Sequence, residues 1–333
     1  MTTSSLDTPT AHDRIRTDTY ALATPAGRKP GTAGHVAARE YVQARFAELG
    51  LAPYRGADDY GHAFVAGDGI TMTNLVGVVP GADPSLPPVL IGAHYDSVIQ
   101  APCADDNAAA VAVMLAAAEQ LAAEPLERDV LVVAFDAEEP PYFISRDMGS
   151  NRFVGDVLAE HVHLAVILDL VGHTVRIPGL ATPPDLVFVT GAESHPALPG
   201  LLADLDLPIA AAAQRAVGDF SDYAAFRQAG APYLFFSGGE WEHYHRYGDH
   251  PDLMDYAKMT RLAADLERVI RRADSVATGY HGSHDCTAFE VATLERTLGT
   301  QTLAAAAAML GLPDYRDADH LTRIIHGLRM QLA

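Results

Sequence analysis

The stretch Val-Leu-Val-Val-Ala-Phe-Asp-Ala-Glu-Glu at residues 130–139 joins a continuous apolar run to a group of carboxylates. Six apolar residues that are followed at once by acidic ones are typical of a buried β-strand. A strand that is apolar along its whole length belongs to a sheet that is covered on both faces. The acidic side chains are therefore predicted to lie at the carboxyl edge of such a sheet.

Two other predicted strands end in the same way. His94 follows the apolar strand at 89–93, and Asp169 ends the apolar strand at 162–169. In open α/β sheets, ligands bind at the carboxyl ends of the strands. Three polar strand ends in succession therefore predict one ligand site at that edge of the sheet.

Strand and helix patterns alternate along most of the chain. This alternation predicts an α/β fold with a mixed, mainly parallel central sheet and helices on both of its faces. The strands are predicted at 62–65, 74–79, 89–93, 130–135, 162–169, 186–190 and 232–236. The helices are predicted at 35–49, 107–124, 152–160, 195–203, 221–228 and 256–273, and two more at 288–310 and 317–332 have no strand between them.

These patterns divide the chain into three predicted segments. Residues 1–34 are polar and form an N-terminal arm or helix. Residues 35–275 form the α/β domain, and residues 276–333 form a C-terminal helical extension. The sequence leaves two roles open for this extension, which are the pairing of subunits in a homo-oligomer and the covering of a cleft.

The composition narrows the choice of partners and compartment. The 333 residues include 43 acidic and 23 basic ones, and the formal net charge is -20. Such a chain is expected to repel nucleic acids and anionic membranes. The amino terminus has no basic segment followed by an apolar one, and the chain has 2 cysteines. We therefore predict a cytoplasmic protein without a disulfide framework.

Asp105 and Asp106 stand side by side where an alanine-rich helix is predicted to begin. Asp is a preferred N-cap residue, so helix capping accounts for one of them. Near Glu138, Glu139 and Asp169, however, two more carboxylates crowd negative charge, which is unfavourable unless cations neutralise it. Histidine and carboxylates without a cysteine ligand suit Zn²⁺.

Six short strings occur in one order along the chain. They are His-Tyr-Asp-Ser at 94–97, Ala-Asp-Asp-Asn-Ala at 104–108, Glu-Glu at 138–139, Leu-Asp-Leu-Val-Gly at 168–172, Ser-Asp-Tyr at 221–223 and Tyr-His at 244–245. In this order the strings resemble those of the co-catalytic zinc aminopeptidases, which share a superfamily with the glutaminyl cyclases. The resemblance covers roughly residues 35–275 and implies a zinc exopeptidase domain there.

The resemblance implies a centre that holds two zinc ions. Asp106 would bridge both ions, His94 and Asp169 would complete one site, and Glu139 and His245 would complete the other. The family also has a cis peptide bond after the bridging aspartate, so one is expected between Asp106 and the next residue.

The resemblance also implies roles for four residues that are not ligands. Asp96 would orient the imidazole of His94. Glu138 would be the general base that takes a proton from a zinc-activated water and delivers it to the leaving amine. Tyr244 would help to stabilise the oxyanion, and Asp222 would lie near the substrate.

Three functions follow from this sequence with unequal support. The loop at 140–148 is longer than in typical aminopeptidases and is similar to that of glutaminyl cyclases, which cyclise N-terminal glutamine at a single zinc. The two-metal pattern at 104–107 favours an aminopeptidase that hydrolyses N-terminal residues of peptides. A metal-free binding protein of the same fold would lack at least one ligand, and all five are present.

Overall fold

A nine-stranded sheet forms the centre of the computed structural model, which describes residues 9–158, 161–278 and 282–329. The strands are β1 (Ala52–Pro53), β2 (Gly61–Val65), β3 (Thr71–Val79), β4 (Val89–His94), β5 (Val130–Phe135), β6 (Leu164–Asp169), β7 (Val187–Thr190), β8 (Ile209–Ala211) and β9 (Tyr233–Ser237). They lie in the order β1-β3-β5-β4-β6-β9-β7-β8, and β2 pairs with β3.

The four strands at the centre of the sheet, β5, β4, β6 and β9, run parallel to one another. Val89 is paired with Val130 across the first of these pairs, and Ala165 with Tyr233 across the last. Antiparallel pairs flank this centre, where β3 pairs with β5 and β7 pairs with β9. The predicted mixed α/β sheet is confirmed, and its parallel part is the part that carries the polar strand ends.

Helices cover both faces of the sheet. They are α1 (Ala11–Leu22), α2 (Ala33–Glu48), α3 (Ala109–Ala123), α4 (Gly149–Arg152), α5 (Leu198–Leu201), α6 (Gln214–Val217), α7 (Tyr223–Gln228), α8 (Tyr256–Asp274), α9 (Thr287–Leu298), α10 (Thr300–Met309) and α11 (Ala318–Arg329). One face packs against α1, α3 and α8, and the other against α7 and the residues that follow α4. Every residue of β4, β5 and β6 is buried, as their apolar runs predict.

Several helix predictions differ from the structure. The predicted helix at 288–310 is two helices, α9 and α10, because Gly299 between them has φ 84°, a conformation that favours glycine and ends a helix. The helix predicted at 195–203 is reduced to α5, and the one predicted at 152–160 is replaced by α4 and a wide turn over Phe153–Val157. Residues 159 and 160, and the predicted end of the last helix at 330–332, lie outside the described residues.

The predicted N-terminal arm contains a regular helix. Thr10 accepts a hydrogen bond from the Asp13 amide, and the Asp13 carboxylate accepts one from the Thr10 amide, so α1 begins with a capping box. Residues 1–8 lie outside the described part of the chain. In the ranges that the structure describes, none of the helices combines the length and the apolar character that crossing a bilayer requires.

The C-terminal helices pack on the sheet of their own chain. Strand β8 is the outermost strand, and α9 runs beside it. The Ala211 amide donates to Thr293 Oγ1 at 2.9 Å, and the Ala213 amide donates to Glu290 Oε1 at 2.7 Å. Side chains of α9 thus take the place of a further strand. The division into three segments and the pairing of subunits through these helices stay predictions.

Candidate metal centre

Three parallel strands bring polar side chains to one edge of the sheet. His94 is the last residue of β4, and Asp169 is the last residue of β6. Glu138 and Glu139 follow β5, which lies beside β4. All four side chains are buried, because the loops and helices around this edge enclose them.

Asp106 lies between two histidines and turns one carboxylate oxygen to each. Its Oδ1 is 3.4 Å from His94 Nε2, which is also 3.5 Å from Asp169 Oδ1. Its Oδ2 is 3.2 Å from His245 Nε2, which is also 3.1 Å from Glu139 Oε2. The five side chains that the resemblance named as ligands are therefore gathered in two half-sites that share one carboxylate.

The spacing of these atoms fits zinc. Four ligand atoms at about 2.1 Å from a tetrahedral Zn²⁺ lie about 3.4 Å from one another. In the two half-sites, the four distances from a histidine Nε2 to a carboxylate oxygen are 3.1–3.5 Å. His94 Nε2, Asp106 Oδ2 and Asp169 Oδ1 are also buried without a hydrogen-bond partner. A buried polar atom without a partner is unfavourable, so these atoms are well suited to hold a cation.

A second grouping of the same side chains includes Glu138. In the described part of the chain, His94, Glu138 and Asp169 offer ligand atoms within 4.8 Å of one another, as do His94, Asp106 and Glu139. Glu138 Oε2 is 3.8 Å from His94 Nε2. Glu138 therefore lies beside the half-site of His94 and Asp169, with its Oε2 farther from His94 Nε2 than the oxygens of Asp106 and Asp169 are.

The carboxylates of the centre repel one another, so the ionised forms of Glu138 and Glu139 are disfavoured. Burial, and then the neighbouring Asp106, raise the pKa of Glu139 to about 8. Burial also raises the pKa of Glu138 well above its usual range, and the charges of Asp169 and Asp222 add to this rise. Divalent cations would remove this repulsion, which agrees with the prediction that cations neutralise the acidic cluster.

Asp96 contacts the centre from behind. Its Oδ1 is 3.3 Å from His94 Nδ1, the ring nitrogen that faces away from the half-site. The same carboxylate accepts hydrogen bonds of 3.1 Å from the amides of Glu138 and Glu139. Asp96 thus lies against a histidine of one half-site and accepts hydrogen bonds from the backbone of two glutamates, and only the first contact was predicted.

Asp222 lies at the start of α7 and is fully enclosed by protein. Its exposed fraction is 0 %, and neither carboxylate oxygen has a hydrogen-bond partner. Burial raises the pKa of Asp222 to about 7. The charge of this carboxylate acts on Glu138 of the centre. The proximity of Asp222 to a substrate stays a prediction.

Tyr244 lies between the centre and a neighbouring cavity. Its ring stacks on that of His245, with centroids 3.8 Å apart and an interplanar angle of 25°. Burial, and then the charges of Asp106 and Asp169, raise the pKa of the Tyr244 phenol above its usual range. The phenol therefore stays protonated and is able to donate a hydrogen bond.

The loop that carries Asp106 is held by two other aspartates. Asp249 accepts hydrogen bonds from the amides of Asp105 and Asp106, at 2.9 Å and 3.1 Å. The Asp105 carboxylate accepts from the Gly172 and His173 amides. The expectation that Asp105 or Asp106 caps a helix is wrong, because α3 begins after Ala108 without a side-chain cap. The peptide bond after Asp106 is cis, as expected.

Asp136 is turned away from the centre, although it directly follows β5. Its carboxylate accepts hydrogen bonds from the Tyr95 hydroxyl at 2.8 Å and the Thr73 amide at 2.6 Å. His35 Nε2 lies 2.8 Å from its other oxygen. Asp136 therefore joins α2 to the sheet instead of adding to the acidic cluster.

Arg28, in the N-terminal segment, holds the loop that carries Asp106. The sequence analysis did not identify Arg28. Its side chain is 1 % exposed. In the part of the chain that the structure describes, all the hydrogen bonds of its guanidinium go to main-chain oxygens. Those oxygens belong to Leu22, Tyr95, Pro102, Cys103 and Asp106. Arg28 thereby fixes the chain between His94 and Asp106.

Alanine in place of His245 is expected to weaken the binding of one zinc ion by at least about tenfold. Removal of a residue that only hydrogen-bonds a ligand already costs about that much affinity, so loss of the ligand itself should cost no less. The half-site of His94 and Asp169 keeps its side chains. Metal analysis by mass spectrometry after dialysis against graded zinc concentrations measures the change. His243→Ala is the matched control, since this neighbouring ring contacts Trp241 instead. Equal zinc loss in both variants would contradict the assignment of His245.

Comparisons with known proteins identify a family and several similar proteins. The sequence profile of peptidase family M28 matches residues 74–270, which is more than half of the chain. The aminopeptidase YwaD of Bacillus subtilis (strain 168) is 30% identical over 106 residues, 31% of this chain and 22% of YwaD. The uncharacterized protein YfbL of Escherichia coli (strain K12) is 29% identical over 209 residues, 53% of this chain and 64% of YfbL. The chain thus spans less than two thirds of each of these curated relatives.

Solved structures show the same fold. A Zn-dependent exopeptidase from Parabacteroides distasonis ATCC 8503 has a TM-score of 0.62 at 17% identity, over 78% of this chain and 97% of that chain. The glutaminyl cyclase of Porphyromonas gingivalis has a TM-score of 0.61 at 19% identity, over 78% of this chain and 98% of that chain. At this level of identity, the likeness extends to the fold alone.

Proposed function

The chain belongs to peptidase family M28, and from this we propose that it is a zinc-dependent aminopeptidase that hydrolyses the N-terminal residues of peptides. The observation that carries the proposal is the position of Asp106, which faces His94 with one oxygen and His245 with the other. A carboxylate in this position is suited to bridge two ions. The similarity to YwaD, which is named an aminopeptidase, supports the same function.

Zinc in the two half-sites would act as a Lewis acid that lowers the pKa of a water molecule and polarises the scissile carbonyl. Glu138 stands beside the half-sites, 5 % exposed, where its carboxylate takes a proton from the attacking water and passes it to the leaving amine. Asp96 keeps Glu138 in place through the backbone amide. The protonated Tyr244 donates a hydrogen bond to the developing oxyanion.

The charge of the site favours a substrate with a free amino terminus. Four carboxylates, those of Asp106, Glu138, Glu139 and Asp169, are gathered around His94 at the centre. Within the described residues, the cavity beside the centre is lined by no lysine and no arginine. A carboxypeptidase would need such a cation to bind the terminal carboxylate of its substrate, whereas an α-ammonium group is attracted by the acidic surroundings.

A second candidate is the cyclisation of N-terminal glutamine. It is favoured by the fold of the glutaminyl cyclases, which matches 78% of this chain, and by the long loop at 140–148. Both candidates use Glu138 for proton transfer, so the site residues do not separate them. A metal-free binding protein is disfavoured, because the five ligand side chains converge.

Hydrolysis assays with amino-acid arylamides and dipeptides test the proposal. The zinc-loaded protein is expected to release free arylamine, to fall to background with a zinc chelator, and to recover when zinc is added back. A coupled assay for ammonia is run in parallel on peptides with N-terminal glutamine. Release of ammonia without any hydrolysis would establish the cyclase instead. Absence of both reactions in the zinc-loaded protein would refute both candidates.

A further inference from the structure

An apolar cavity of about 480 Å³ opens beside the metal centre. Asp169 and Tyr244 line the cavity and belong to the centre as well, so the cavity begins where the half-sites end. Phe188 of β7 and Phe235 of β9 form part of its inner wall. Ligand sites in proteins range over roughly 300–1,000 Å³, so this volume is sufficient for a large amino-acid side chain.

The outer wall of the cavity comes from the C-terminal helices. Leu294 and Leu298 of α9 and Ile325 and Leu328 of α11 line it. The match to the family profile ends at residue 270, so these four side chains lie outside the segment that defines the family. The wall is therefore a property of this chain that family membership does not supply.

The wall is a fixed part of the structure. Leu294 and Leu298 are 4% and 7% exposed, although they face the cavity. Helix α9 is tied to the sheet by the hydrogen bonds of Thr293 and Glu290, and Glu290 is 0% exposed. Arg215 lies 2.5 Å from the Glu290 carboxylate and completes this attachment. The apolar outer side of the cavity is thus anchored to the sheet.

The carboxylates that line the cavity add a second selection. Glu240 lines it together with Asp169, and His326 of α11 contributes an imidazole. A negative charge on a substrate side chain would be repelled by these carboxylates, whereas an aliphatic or aromatic side chain would contact the four apolar residues of the outer wall. The occupant that fits is uncharged, apolar and large.

We propose that the C-terminal helices form the outer wall of a specificity pocket that binds the large apolar side chain of the substrate's first residue, such as leucine, methionine or phenylalanine. This inference rests on the proposed aminopeptidase function, because it requires the N-terminal residue of a peptide at the metal centre. The pocket also accounts for the extension, which covers the cleft of its own chain.

Leu298→Trp tests the inference by filling the pocket from its outer side. In the wild type, kcat/KM for leucine and phenylalanine arylamides is expected to exceed that for alanine arylamide by at least about tenfold. The variant is expected to lose about tenfold or more of the leucine activity and less than about threefold of the alanine activity. Met309→Trp places the same ring in α10 at a residue that is 85% exposed, and it should change neither value.

The outcomes separate this inference from the function on which it rests. Equal loss for leucine and alanine substrates in a folded Leu298→Trp variant, or no loss for either, overturns the pocket while the peptidase stands. A wild type that prefers alanine or glutamate overturns it as well. Turnover of no arylamide by the zinc-loaded wild type refutes the peptidase instead.

If Leu298→Trp does not fold, the pocket is tested by calorimetry of n-alkylamine binding to the zinc-loaded wild type. This measurement requires no turnover. The ammonium group suits the acidic centre, and the alkyl chain extends into the cavity. Affinity is expected to rise by about fourfold for each methylene from ethylamine to hexylamine. An affinity that does not change with chain length overturns the inference.

Discussion

Glutamine in place of Glu138 is expected to lower kcat for arylamide hydrolysis by about 10²- to 10⁴-fold while the zinc content stays unchanged. The amide has the size of the carboxylate but cannot take a proton from water. Glu138 Oε2 lies 3.8 Å from His94 Nε2, beyond the oxygens of Asp106 and Asp169, so the half-sites keep their ligands. Steady-state kinetics together with metal analysis by mass spectrometry provide the two measurements.

The control for this variant is Glu242→Gln, which makes the same change three residues before His245. Glu242 has a side chain that is 82% exposed, and its replacement should leave turnover and zinc unchanged. Retained turnover in Glu138→Gln would contradict its role as the base. Loss of zinc in that variant would instead make Glu138 a ligand, in keeping with its place beside His94 and Asp169.

Methionine in place of Arg28 is expected to lower the free energy of unfolding by about 5 kcal/mol or more. Five main-chain oxygens would lose the guanidinium as a donor, and of these the Leu22 oxygen keeps the Thr24 amide. Each buried group that is left without a donor costs about 1–3 kcal/mol. The five bonds are 2.8–3.1 Å long. The loss is comparable to the whole stability of a typical domain, which is about 5–15 kcal/mol. Urea unfolding at constant zinc concentration measures the difference.

Lys29→Met is the matched control, because it removes a cation from the next residue, which is exposed. Its effect on stability should stay within about 0.5 kcal/mol. Arg28→Lys keeps the charge but has fewer donors in another geometry, so it should recover only part of the loss. If Arg28→Met were as stable as Lys29→Met, the hydrogen bonds of Arg28 would not be what holds the loop.

The parts of the fold and site that could be predicted are those marked by patterns of neighbouring residues in the sequence. Strands β4, β5 and β6 are unbroken apolar runs, and each run is followed by a polar residue within a few positions. Because parallel strands end at one edge, the convergence of His94, Glu139 and Asp169 follows from local patterns. His245 has no such pattern, and it was assigned from the resemblance alone.

The parts that were missed depend on contacts between distant residues. Arg28 binds main-chain oxygens 67–78 residues away in the segment that follows β4, and a carbonyl group has no signature in the sequence. Strand β8 is three residues long and contains two alanines, which have low β-propensity. The role of α9 was left open for the same reason, since Thr293 and Glu290 meet amides that are 82 and 77 residues away.

The attachment of α9 to β8 has a consequence for solubility. An outer strand with free amides is a template on which strands of other molecules assemble, and this is a common first step of aggregation. Here Thr293 accepts from the Ala211 amide of β8, and Glu290 accepts from the Ala213 amide just beyond that strand, so neither amide is available to an approaching strand. The same helix that closes the cavity therefore also keeps neighbouring molecules from extending the sheet.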